Sequence, residues 1–132
     1  MLSKKSFLIA ASLVLVAAFG IVVSADDKKS ESAVKLPTMT PAMNLGKMVF
    51  DAKCAACHGE NGVGTDQGPP FLHRVYHPGH HGDGAFFLVA KKGVRAHHWK
   101  FGDMPPVAGV NDRQIEKIIL YIRALQKANG VF

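Results

Sequence analysis

Residues 54–58 read Cys54-Ala55-Ala56-Cys57-His58, and the chain holds no cysteine outside them. On a helical turn, residues i, i+3 and i+4 share a face, so two thiols and an imidazole are aimed the same way. Alanine at both intervening positions keeps that turn slim enough for a flat group to lie against the backbone. The fold has to be built around whatever those three side chains hold.

A close cysteine pair can be a redox disulfide, half of a structural metal site, or a point of covalent haem attachment. The first needs a strand ahead of the pair, and no run before Cys54 reads as one. A closed zinc site needs four ligands, and its remaining two would have to come from scattered histidines. The adjacent His58 completes C-x-x-C-H, the haem-attachment pattern. Each thiol can add to one vinyl group of the haem, and the neighbouring imidazole then ligates the iron.

Working outward, Ala42 to Ala56 predicts a helix, with Leu45, Met48, Val49, Ala52 and Ala56 on its apolar face. Gly46 inside it costs about 1 kcal/mol relative to alanine, which suggests that another backbone comes close. Residues 26–40 are charged and rich in Ser and Thr, and read as a flexible linker. Before them, Lys4 and Lys5 precede an apolar run from Phe7 to Val23, then Ser24 and Ala25. That is the layout of a secretory signal, residues 1–25, with cleavage expected after Ala25. The competing reading is an uncleaved anchor in the inner membrane. Either way the domain is exported, and the periplasm is its expected location.

Downstream, residues 59–82 are dominated by Gly, Pro, His and Asn, without periodicity. So long an irregular segment is reasonable only if a large apolar group gives it something to pack on. Asp83 to Lys92 reads as a short helix, with Asp83 as N-cap, Gly93 past its end, and Phe86, Phe87 and Ala90 facing inward. A second irregular stretch leads to Asn111, which forms a capping-box pattern with Gln114. Ile115, Ile118, Ile119, Ile122 and Leu125 then line one helical face, and Asn129-Gly130 ends it. The expected fold is all-α, without strands, and short of core unless a cofactor fills it.

At this point the chain resembles class I, mono-haem c-type cytochromes over residues 44–128. The likeness rests on Gly46 and Phe50 before Cys54-Ala-Ala-Cys57-His58-Gly59, on Gly68-Pro69-Pro70-Phe71-Leu72, on Met104-Pro105-Pro106, and on a last helix with Tyr121-Ile122-Arg123-Ala124-Leu125. The resemblance implies a small helical domain, residues 41–132, wrapped around one covalent haem c. It implies that the first and last helices cross at Gly46, Phe50 and Tyr121. It implies that the carbonyl of Pro70 accepts the Nδ1–H of His58, and that Met104 is the sixth iron ligand, with His97 or His98 as the alternative. The function it implies is one-electron transfer between redox partner proteins, without enzymatic turnover. A haem enzyme or gas sensor with a displaceable sixth ligand is the second reading, and a metal-handling protein the third.

The histidines depart from that pattern. Besides His58 there are His73, His77, His80, His81, His97 and His98. His77, His80, His81, His97 and His98 could converge on copper or zinc. The expected reading is that they bond to haem propionates, as Trp99 or Arg95 could, or sit solvated on loops. The formal charge of +6 includes Lys4 and Lys5 of the signal. What stays behind suits an acidic protein partner but forms no nucleic-acid stripe. A monomer is expected.

Overall fold

A computed structural model describes residues 33–132; the signal segment 1–25 and residues 26–32 of the linker lie outside the described residues. Four helices are described: α1 (Pro41–Lys53), α2 (Ala55–His58), α3 (Asp83–Lys92) and α4 (Asp112–Ala128). Two single 3₁₀ turns, Glu60–Gly62 and Arg74–Tyr76, punctuate the long loop. Among the described residues there is no strand, only an isolated antiparallel bridge between Val94 and Met104. No described helix is long and apolar enough to cross a membrane.

Helix α1 starts at Thr40, whose Oγ1 accepts from the Met43 amide at 3.3 Å, with Pro41 in the first turn. The expected continuous helix to Ala56 is not what forms. Cys54, at φ −124°, ends α1, and α2 resumes as one turn. The expected apolar face of α1 is also corrected. Leu45 is 46 % and Met48 68 % exposed, while Gly46 and Phe50 are the buried residues. The reason is close approach: a Cβ on Gly46 would stand 1.9 Å from the Lys117 carbonyl oxygen of α4. Contact between the two backbones, not the count of apolar side chains, chooses the face that is covered.

Helix α4 is the spine of the core. Its capping box forms in both directions, Gln114 N to Asn111 Oδ1 at 3.0 Å and Asn111 N to Gln114 Oε1 at 2.9 Å. Ile115, Ile119, Ile122 and Leu125 are buried together with Tyr121, Phe50 and Phe86. Phe50 and Tyr121 meet edge to face, 5.8 Å between centroids. Helix α3 has the expected bounds, but Gly82 is its N-cap and Asp83 its first residue. There Asp83 receives Arg123 Nε at 2.7 Å.

The described part of the linker is docked on the domain. Lys35 N donates to Asn129 Oδ1 and Asn129 Nδ2 to Lys35 O, both at 2.9 Å. Val34 and Met39 pack on the core. A reading based on charged side chains overlooks such backbone anchoring.

Candidate functional site

The turn that bears the thiols is held by backbone bonds from His58 N (2.9 Å) and Cys57 N (3.2 Å) to Cys54 O. It opens onto a cavity of about 350 Å³ between α1, α3 and α4. Cys54, Cys57, His58 and Met104 all border it, and most of the remaining wall is apolar, including Phe50, Phe86 and Ile122. A volume of this order suits an organic cofactor.

Burial, and then the neighbouring Cys57, push the Cys54 thiol up to about 11. A thiol buried in this way stays protonated at neutral pH. Cys57 is exposed at the cavity edge.

His58 is 7 % exposed, and burial holds its imidazole below the usual histidine range against the opposing pull of its backbone hydrogen bond. Its Nδ1 lies 2.9 Å from the Pro69 carbonyl oxygen. A carbonyl can only accept, so Nδ1 carries the proton and Nε2 keeps a free lone pair. The Phe71 ring stacks on the imidazole, 4.3 Å between centroids and 24° between planes, and fixes its tilt. The acceptor is thus Pro69, not the expected Pro70. Thr65 Oγ1 donates to Cys57 O, and Thr65 N to Gly68 O at 3.0 Å. These bonds place Gly68 level with Cys57 and the next residue, Pro69, level with His58. Adjacent carbonyls of an extended chain point apart, so only one of the two can face the ring.

Met104 reaches the cavity on a different device. Its amide and carbonyl exchange hydrogen bonds with Val94, both at 2.9 Å. Gly93, at φ +72°, lies so close that a Cβ would sit 2.4 Å from the Met104 carbonyl oxygen. The loop that carries the methionine is therefore locked to the end of α3.

A second cavity of about 130 Å³ adjoins His58 and Met104 and is bordered by Arg95, His81, His97, His98 and Trp99. Trp99 Nε1 is buried there without a hydrogen-bond partner among the described residues. A haem propionate is an acceptor of the kind that suits such a donor. With two free thiols on one turn, a neutral imidazole of fixed tautomer and an apolar cavity, the residues fit covalent haem.

The other histidines divide. His73 accepts from Val75 N, and His77 from Gly79 N, each within its own loop turn. His80, His81 and His98 converge, each offering a ring atom within 4.8 Å of the others. His97 stacks on His81 at 5.9 Å. Partial desolvation, and then His97, His81 and His80, hold His98 below the ordinary histidine value. Sequence reasoning missed the role of Arg123. Its guanidinium bonds to Tyr76 O, His81 O, Gln126 Oε1 and Asp83, and lies 4.7 Å over the Phe86 ring. An arginine in the middle of an apolar helix was the signal that could have found it.

A search of curated proteins finds none that matches the chain. The family model described as Cytochrome c matches residues 43–126, which span the thiol turn, the Met104 loop and most of α4. The chain belongs to the cytochrome c family, whose members bind haem c covalently and use its iron to pass electrons to and from redox partner proteins.

Proposed function

We propose that this chain is an exported mono-haem electron carrier in which His58 and Met104 are the axial ligands and Cys54 and Cys57 the points of attachment. The observation that supports it best is one cavity bordered by Cys54, Cys57, His58 and Met104 together. Haem, when bound, supplies a one-electron ferrous–ferric couple. The chain's own residues do the rest. The Pro69 carbonyl and the Phe71 ring keep His58 in one tautomer and one tilt, which raises its basicity as a ligand. The Val94 bridge holds the Met104 backbone at the cavity, from where its side chain would serve as the second ligand to the iron of a bound haem. Thioether ligation favours the reduced state and a positive potential. A single motif means a single haem. The carrier works as a monomer without substrate turnover, and meets acidic faces of its partners through a moderately basic surface.

Residues 1–25 act as the export signal, and the mature chain begins at Asp26 in the periplasm. Retention of Met1 to Val23 in a membrane fraction would instead make the segment an inner-membrane anchor.

Optical spectra in both oxidation states test the ligation. The ferric protein should show the weak far-red charge-transfer band of methionine–iron ligation, and the ferrous protein should bind carbon monoxide poorly. Met104→Ala should abolish the band, lower the potential and admit carbon monoxide. Free uptake of carbon monoxide by the wild type at neutral pH would replace the carrier by an enzyme or gas sensor. Intact mass should exceed the processed chain by one haem, and acid–acetone should leave the colour with the protein.

A further inference from the structure

Two loops well apart in sequence bring His80 and His81 against His98. We propose that these three imidazoles form a binding site for a divalent transition-metal ion, copper(II) or zinc(II), distinct from the haem iron. His80 Nε2 and His98 Nε2 lie 3.1 Å apart. Zinc–nitrogen bonds are about 2.0–2.1 Å long, so an ion bridging two imidazoles needs their nitrogens only slightly farther apart than this. Small ring rotations suffice.

The third ring is prepared for the same task. His81 Nδ1 donates to Val75 O at 2.7 Å, which leaves Nε2 bare. A ligand histidine characteristically donates its other nitrogen to a carbonyl in this way, which fixes its tautomer and orientation. His97 repeats the device, with Nδ1 on Arg95 O at 2.9 Å, and stands beside the cluster as a fourth donor, with water as the other occupant of that position. The loop is also held in place. Arg123 of α4 bonds to the carbonyls of Tyr76 and His81, one on each side of the segment that leads to the cluster. The all-nitrogen donor set contains no carboxylate, which favours copper and zinc over calcium or magnesium.

The experiment uses the oxidised, haem-loaded protein after chelator treatment, titrated calorimetrically with copper(II) chloride. One equivalent should bind with a dissociation constant below about 1 μM, and zinc(II) chloride should compete for it. The copper paramagnetic resonance spectrum should carry hyperfine structure from imidazole nitrogens. His80→Ala and His98→Ala should each weaken binding by at least about tenfold, with the haem spectrum unchanged as the sign of an intact fold. His77→Ala, in the same loop but outside the cluster, should bind as the wild type does. Absence of stoichiometric binding overturns the proposal, as does equal weakening by His77→Ala.

Discussion

Replacing Gly46 by alanine places a methyl group where α4 already stands. The new Cβ would meet Lys117 O at 1.9 Å and Lys117 C at 2.4 Å. Both are backbone atoms, so no rotamer change can clear them. To reach ordinary contact, which begins at 3.4 Å, the helices must part by about 1.5 Å at their crossing (3.4 less 1.9). Forced insertions of this kind cost about 1–3 kcal/mol. The same parting loosens the Phe50–Tyr121 pair next to the crossing, worth a further 0.5–1.5 kcal/mol or so. Alanine returns about 1 kcal/mol of helix propensity. The net expectation is a loss of roughly 0.5–3.5 kcal/mol, centred near 2, which is a sizeable share of what a small domain has. Guanidinium unfolding of the haem-loaded protein, followed by circular dichroism, measures it. With a slope of roughly 3 kcal/mol per molar, the midpoint should fall by about 0.2–1.2 M, centred near 0.7 M. An unchanged or higher midpoint would mean that propensity outweighs contact, and the close crossing of α1 and α4 would be refuted.

Asn111→Ala removes one half of the α4 capping box and should cost about 1 kcal/mol, seen as a melting temperature lower by roughly 4–8 °C; no change would mean that the cap is redundant. Burial, then Asp51 and Glu60, push the Tyr121 phenol up to about 12, and burial also raises Tyr76. The folded state therefore favours the neutral phenols. The contribution of Tyr121 to stability is whole below pH 10 and is lost as pH climbs from 10 towards 12, and Tyr76 acts in the same direction, so phenolate absorbance should appear late and together with unfolding. Two phenols titrating near 10 in folded protein would contradict this. Arg123→Lys keeps the charge but loses the fork that reaches four oxygen acceptors, and should destabilise by about 2 kcal/mol. Hydrogen exchange of amides in residues 73–82 should quicken, and unchanged exchange would show that Arg123 does not hold that loop.

The thiol turn was legible because its chemistry is written in residue types at fixed spacing. Helix α4 was legible because its cap and its stripe are both local patterns. What failed depended on partners that a linear pattern does not name. The covered face of α1 follows from a glycine that admits α4, so the apolar residues at positions 45 and 48 ended up in water. The choice between Pro69 and Pro70 turns on which of two consecutive carbonyls faces the ring, a matter of loop register set by Thr65. Docking of residues 34–39 depends on Asn129, far along the chain. The convergence of His80 and His81 with His98 joins two irregular loops, where no periodicity speaks.

The crossing of α1 on α4 also sets an order of assembly. The helix just before the thiol turn is clasped by the last helix of the domain, and Phe50 is sealed by Tyr121. A chain made or threaded from its N-terminus therefore displays Cys54 and Cys57 before the residues that will shut the core exist in the same space. Closure waits for the final turns of the polypeptide, because distant contacts cannot form until both ends are present. The thiol turn thus stays open until α4 is in place, and the crossing of the two helices closes it. A chain cut short before residue 112 would never lock, so the fold checks its own completeness before it hides its cofactor.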